Sequence, residues 1–291
     1  MRKKFVTSCE KMIRQGNDSV VILGDIGVYG FRNLNNEFPS RIINLGIMEQ
    51  SMVGVGAGFA SKGIIPTLHS IAPFLIERAF EQIKVDFGYQ KFPANFVSVG
   101  ASFDYASLGC THHCPADLPI LSNIPGVNLF VPGHSEEFSN MFDLNWNSMS
   151  INYFRLSEKE NSKFNLNKLG EVKKIKSGNK AIVLAIGPIL EQVLLGLSEL
   201  DVEIHYINSI PFGSDLQMLT DLENVPVIII EPYYSGPVLG KIQKQIYYLN
   251  LKPVQLGVKK VFSLNYGTYE THLNHHELDA ESLSRKVRLL I

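Results

Sequence analysis

The chain has 291 residues, of which 45% are hydrophobic and 19% charged, and its formal net charge is −1. At roughly 150 residues per domain this length predicts two domains, each with enough apolar material for its own core. The balanced charge gives no pull toward nucleic acid or an acidic membrane surface, so neither is expected as a partner. Cys9, Cys110 and Cys114 make no disulfide framework, which points to a reducing, cytoplasmic setting. The basic start, MRKKFVTSCEKMIRQG, is followed by no apolar stretch, so no signal peptide is expected. The apolar runs are too short or too glycine-rich to span a bilayer.

The first predicted strand is VVILGDI (20–26). Helical spacing follows over 49–63 and 72–90, where Phe74, Leu75, Arg78, Ala79, Gln82 and Ile83 recur at i, i+4 intervals. NFVSVGA (95–101), VNLFVP (127–132) and INYFRL (151–156) read as strands covered on both faces, since polar residues do not alternate in them. Residues 157–180 are rich in Asn, Lys, Ser and Glu and read as a linker with room for a short edge strand. The rhythm then resumes with strands at 181–187, 202–208 and 226–232 and helices near 189–200, 235–250 and 276–289. The predicted fold is α/β with two domains, 1–160 and 175–291, joined by a linker at 161–174. Each is a mostly parallel sheet covered by helices.

GCTHHCPAD (109–117) packs Cys110, His112, His113 and Cys114 into one stretch. Zinc uses such ligands, but structural zinc takes pairs from separated segments, and adjacent histidines rarely face one ion. No metal site is predicted. The alternatives are a polar turn or a ligand-facing loop at a strand's carboxyl end, with Pro115 and Asp117 opening the next helix. GVGAG (54–58) fails the dinucleotide pattern and reads as small residues for close helix packing. Asp25, in GDI, is either a solvated turn acid or a ligand contact at the sheet edge. Glu49, alone in the apolar NLGIMEQSM (44–52), is either a first-turn acid favoured by the helix dipole or a shielded carboxyl placed for chemistry. No P-loop, nucleophile elbow, H-E-x-x-H or EF-hand loop is present.

RIINLGIMEQSMVGVGAGFASKGIIPTLHSIAPFLIERAFEQIKVD (41–86) resembles the pyrimidine-binding domain of transketolases, with its G-I-x-E-Q/H and F-x-x-x-R-A-x-E/D-Q-I segments. GCTHHCPADLPILSNIPGVNLFVPGHSEE (109–137) continues the likeness, and AIVLAIGPILEQVLLGLSEL and VIIIEPYYSGPVLG resemble the transketolase C-terminal domain. The resemblance implies thiamine diphosphate, whose thiazolium ylid is the electron sink. It implies that Glu49 hydrogen-bonds the aminopyrimidine and favours the imino tautomer whose exocyclic nitrogen deprotonates the thiazolium. Phe74 matches the aromatic that packs on the aminopyrimidine, and Ile71 stands where many members carry a second aromatic. His112 matches the histidine that hydrogen-bonds the sugar, and Asp25 falls on an acid near the cofactor.

The family's G-D-G…Asn segment, which holds Mg²⁺ on the diphosphate, is missing. The resemblance therefore implies a split enzyme. This chain would be the C-terminal subunit, a partner would carry the diphosphate-binding domain with its Mg²⁺, and the assembly would be an α2β2 heterotetramer with a dimer of this chain. It would be active only with that partner, on sugar substrates. The substrate end departs from the family: Leu108 replaces an acid, Gly100 a histidine, Tyr29 a phosphate-binding Ser and Glu158 a phosphate-binding Arg. Arg2 or Arg155 are the remaining candidates to meet a phosphate. Losing cations there is costly for phosphate binding, which implies either a modified sugar from a specialised pathway or retuned phosphate contacts. The beta chain of a 2-oxo-acid dehydrogenase, a 1-deoxyxylulose-5-phosphate synthase-like enzyme and a non-catalytic stabilising subunit remain as alternatives.

Overall fold

The computed structural model describes residues 1–16, 18–162, 170–212, 225–248, 251 and 253–291. The first half runs α1 (Arg2–Gln15), β1 (Ser19–Leu23), α2 (Val28–Glu37), β2 (Ile42–Asn44), α3 (Glu49–Ala60) and β3 (Ile65–Ile71). It continues with α4 (Phe80–Gln82), β4 (Ala94–Val99), α5 (Asp117–Leu121), β5 (Val127–Phe130), α6 (Ser135–Asn145) and β6 (Ile151–Arg155). The second half contains β7 (Lys173–Lys176), β8 (Ile182–Ile186), α7 (Leu190–Leu197), β9 (Glu203–Ile207), β10 (Ser209–Ile210) and β11 (Val227–Tyr234). It ends with α8 (Pro237–Tyr248), β12 (Pro253–Val258), α9 (Tyr269–His276) and α10 (Ala280–Arg288).

These strands build two mostly parallel sheets, as the unbroken apolar runs predict. A seven-stranded sheet has the order β10-β5-β6-β4-β3-β1-β2, and a five-stranded sheet the order β12-β11-β8-β9-β7. Every residue of β1 and of β8 is buried, because helices cover both faces. Only the edges depart from parallel pairing. β7, the short edge strand of the linker region, runs antiparallel to β9. β10, from the second half of the chain, crosses over to pair antiparallel with β5.

Several elements differ from the sequence expectation. β3 is fully buried and pairs with both β1 and β4, although Pro66 and the polar pair His69–Ser70 hide it in the sequence. The helix predicted over 72–90 is two π-helical segments, Pro73–Glu77 and Ile83–Tyr89, around the single turn of α4. The helix predicted over 276–289 breaks at Glu277, which is left-handed at φ 56°; Asp279 then caps α10 through the Ser282 N–H. Asp117, not Pro115, is the first residue of α5. In GVGAG Gly56 packs inward against Leu68 and Phe87 and Ala57 is buried in the core, while Gly54 and Gly58 face outward. Residues 163–169 of the predicted linker lie outside the described residues.

A buried ion pair joins the two sheets. Arg155 ends β6 and Asp117 begins α5, with side chains 1% and 0% exposed. Arg155 Nε donates to Asp117 Oδ2 at 2.7 Å, and the Tyr153 hydroxyl donates to the same oxygen at 2.7 Å. Arg155 Nη2 also donates to Ser102 Oγ at 2.7 Å and to the Cys114 carbonyl at 3.2 Å. Ser102 Oγ in turn donates to the Pro232 carbonyl in β11, and the Tyr234 N–H donates to the Pro115 carbonyl at 2.8 Å. The guanidinium lies 5.5 Å from the Tyr233 ring centroid. Arg155 is therefore spent on the junction and is not available to a substrate phosphate, which corrects that expectation.

Asp117→Ala leaves the Arg155 charge buried and unpaired, and is expected to cost about 3–5 kcal/mol in urea unfolding. Replacing both residues by apolar side chains of similar volume is expected to cost less than the sum of the single changes.

A second buried carboxyl tests pH linkage. Glu231, in β11, is 0% exposed and accepts from the Gly236 and Val238 N–H groups at the start of α8. Burial pushes its carboxyl up to about 7. A raised acid contributes stability that is full below its unfolded pKa and is lost as pH rises through the folded value. His69 and His276, both lowered to about 4 by burial, act oppositely: their contribution is present above the unfolded value and lost as pH falls through about 4. The comparison with Glu231→Gln isolates the acid. Between pH about 4.5 and 7, wild type is expected to lose stability relative to the variant by up to about 1.4 kcal/mol per pH unit. Equal slopes for the two proteins in chemical denaturation would refute this assignment.

Candidate functional site

The carboxyl ends of β1, β3, β4 and β6 lie along one edge of the first sheet, where an α/β fold gathers its working loops. Glu49, the first residue of α3, sits beneath that edge and is 1% exposed. Ser70 Oγ, in β3, donates to Glu49 Oε1 at 2.9 Å. Arg78 Nη1 donates to Oε2 at 2.7 Å. A carboxylate has about four lone-pair sites, so these two bonds leave acceptor capacity. Glu49 is both a first-turn acid of α3 and a shielded carboxyl paired with Ser70 and Arg78.

The π-helical turn places Phe74 and Arg78 together, with the guanidinium carbon 4.4 Å from the Phe74 ring centroid. His112 meets Phe74 edge to face at a centroid distance of 5.1 Å. Its Nδ1 is 2.9 Å from Thr111 Oγ1. Glu49, Phe74 and His112, distant in sequence, are thus brought around Arg78. Gly24 completes the cradle. A Cβ there would stand 3.1 Å from Ser70 Oγ and 3.5 Å from Glu49 Oε1, so glycine keeps the space beside the carboxylate open.

Ile71 is 8% exposed and packs in the core behind the site, toward Gly100, so it backs the cradle. Asp25 is exposed and left-handed at φ 62°. Its N–H donates to Asn44 Oδ1 at 3.0 Å, and Asn44 Nδ2 donates back to Asp25 Oδ1 at 3.1 Å. It opens onto a neighbouring cleft of about 450 Å³ that Arg2, Tyr29 and His69 also line. The structure therefore places Asp25 beside the Glu49 cradle, one residue from Gly24, and not among the Glu49 partners.

Arg78, Ser70 and His69 are site residues that the sequence pattern does not single out. Arg78, the Arg of R-A-F-E-Q, looks like one more position of an amphipathic helix. Ser70 and His69 lie in β3, the strand that the apolar pattern hides. His69 Nδ1 is 2.7 Å from the Val97 carbonyl, which only accepts, so Nδ1 carries the proton. Burial lowers its pKa to about 4, so the ring stays neutral and Nε2 is an acceptor.

The two histidines of the 109–117 loop part company. His113 is buried, packed edge-on against Phe103 at 5.1 Å and His272 at 4.7 Å, where it anchors the loop to α9. Cys110 is exposed, whereas Cys114 is buried with its thiol 3.6 Å from Glu77 Oε1. Among the described residues, no group of three or more His, Cys, Asp or Glu is placed to hold a metal ion. Also among them, no helix is long and apolar enough to cross a membrane.

Residues 1–162 match the family described as transketolase, pyrimidine binding domain. The chain is 34% identical over 287 residues to an uncharacterized 33.6 kDa protein in the fasciation locus of Rhodococcoides fascians, covering 97% of this chain and 92% of that one. It is 26% identical over 297 residues to one of the subunits of the apulose-4-phosphate transketolase of Actinobacillus succinogenes, covering 97% and 94%. Among solved structures, a split gene transketolase in an inactive beta4 tetramer superposes with a TM-score of 0.84 at 22% identity, covering 99% and 97%. That likeness concerns the fold. The family match over more than half the chain, with a relative at 34% identity along nearly its whole length, decides the assignment: the chain belongs to the transketolase pyrimidine-binding domain family.

Proposed function

We propose that this chain is the C-terminal subunit of a split, thiamine-diphosphate-dependent transketolase that moves a two-carbon ketol unit between sugars. One observation carries the reading. A buried carboxylate with spare acceptor capacity, Glu49, stands in a glycine-cleared cradle beside a half-buried aromatic, Phe74, and a sugar-reachable histidine, His112. Those residues fit the aminopyrimidine end of the cofactor. The metal-and-diphosphate end finds no ligand group among the described residues, which supports a partner subunit that holds Mg²⁺ and the diphosphate. The apulose-4-phosphate transketolase relative has nearly the same extent as this chain, which supports the split organisation over the dehydrogenase and synthase alternatives.

Bound thiamine diphosphate supplies a stabilised carbanion. The protein's part is positional. Glu49 would accept a hydrogen bond from the cofactor ring, and Ser70 and Arg78 hold its carboxyl oriented for that contact. Phe74 presents an apolar surface to the ring. His112, with Nδ1 on Thr111, has Nε2 for a sugar hydroxyl. In this reading residues 1–160 form the pyrimidine-binding domain, 161–174 the linker and 175–291 the C-terminal domain. The enzyme is cytoplasmic. The outer face of α3 shows Val55 beside Gly54 and Gly58, with Ile47, Met48 and Tyr89 also exposed, and it suits a second copy of this chain in an α2β2 assembly.

Mixed with its partner subunit, thiamine diphosphate and Mg²⁺, the chain is expected to transfer ketol units. Glu49→Gln should reduce turnover by about a hundredfold or more while leaving the melting temperature near wild type. Full turnover in Glu49→Gln would sink the assignment of that residue. Unchanged activity of the partner alone would favour the stabilising-subunit alternative. Arg78→Met removes one of the two bonds that orient Glu49, so turnover should fall by about tenfold. Unchanged turnover would show that Arg78 does not position the carboxylate.

A further inference from the structure

The cleft of about 450 Å³ beside the Glu49 cradle is lined by the start of α1, the start of α2 and His69 of β3. The His69 ring is 1% exposed and packs on Phe5 at a centroid distance of 4.5 Å. Its Nδ1–H is given to the Val97 carbonyl at 2.7 Å, and burial keeps the ring neutral, with its pKa lowered to about 4. Nε2 is therefore an acceptor only. Among the described residues it meets no donor. Gly27 is what uncovers it. This residue is left-handed at φ 81°, and a Cβ there would stand 3.2 Å from His69 Cδ2 and 3.3 Å from Nε2. Any side chain at that position would cover the imidazole edge that the glycine leaves open to the cleft.

Gly27 is also the N-cap of α2, a ten-residue helix with no side-chain cap and no acid in its first turn. The Gly27 carbonyl takes the Gly30 and Phe31 N–H groups, while those of Val28 and Tyr29 have no partner among the described residues. Arg2 and Lys3 line the same cleft, and among the described residues neither forms an ion pair. Asp25 is the acid on the lining, and its Oδ1 is turned to Asn44 Nδ2 at 3.1 Å. Two cations and a bare helix start against one acid make this a seat for an anion. His69 then discriminates among anions. The N–H groups and cations are satisfied by any oxyanion, but a fully deprotonated one sets an oxygen lone pair against the Nε2 lone pair. An oxyanion that keeps a proton donates it there, and the buried acceptor is satisfied.

We propose that this cleft binds an oxyanion that carries a proton, and that His69 Nε2 is the specificity-determining acceptor for that proton. The start of α2 and Arg2 supply the donors to the other oxygens. The full chain is titrated in a calorimeter with inorganic phosphate and with sulfate at about pH 8 and constant ionic strength. Both are then mainly dianions, and only phosphate keeps a proton. Phosphate should bind about tenfold or more tightly than sulfate. Nitrogen-15 spectra of the imidazole follow His69 directly: its Nε2 signal should move with phosphate and stay with sulfate. His69→Phe, which keeps an aromatic ring against Phe5, should bring the two affinities within about twofold of each other. Arg2→Gln, an exposed change, should weaken both anions by about fivefold and leave their ratio unchanged. Sulfate bound by wild type as tightly as phosphate, a His69 signal unmoved by phosphate, or a preference that survives His69→Phe in a folded protein overturns the proposal. So does the absence of binding by either anion. The titration involves no turnover, so its failure leaves the transferase reading standing, and failure of that reading leaves the cleft to be decided by the titration.

Discussion

The Arg155–Asp117 ion pair is the constraint on which the working parts depend. It is fully buried, and its hydrogen bonds reach the start of α5, the loop after β4 and the last residues of β11. A buried pair of this kind adds little net stability compared with apolar packing, but it tolerates almost no change of geometry, because either charge alone is costly. The loop from Ser102 to Cys114 is clamped at both ends by it, through the Ser102 hydroxyl and the Cys114 carbonyl. His112 and Tyr105 ride on that loop. The positions of His112 and Tyr105 are therefore tied to the contact between the two sheets.

The Glu49 cradle gathers a shielded carboxylate, an aromatic surface and the open space that Gly24 guarantees. In the split transketolase proposed above it is the part this chain would contribute, with the metal and diphosphate falling to the partner subunit.

Much of the fold is legible residue by residue. β1, β4, β6, β8, β9 and β11 announce themselves as unbroken apolar runs because a strand buried on both faces has little room for a polar residue. β3 is not legible, although it is central. Its Pro66, His69 and Ser70 break the run, and the polar pair is there because one serves the Glu49 carboxylate and the other faces a cleft. These side-chain contacts interrupt the pattern that would reveal the strand. The winding over 72–90 is hidden for a similar reason: periodicity reports which residues are apolar, whereas the π-helical turn that brings Arg78 over Phe74 leaves no such trace.

The sequence by itself determined the class of the protein: two α/β sheets, a lone acid in apolar surroundings at Glu49, and a motif set that resembles transketolases. These are local or pairwise properties, and they survive in a one-dimensional string. Only the tertiary structure decided which polar residues are taken up in the interior and which line the candidate site. Arg155, a candidate cation for phosphate in the sequence, is consumed by Asp117; His113 is packed away while its neighbour His112 reaches Phe74; and Tyr105 stands above Gly100. The reason is physical. The cost of burying a charge or leaving a polar atom unpaired depends on what surrounds it in space, and residues far apart in the chain supply those surroundings.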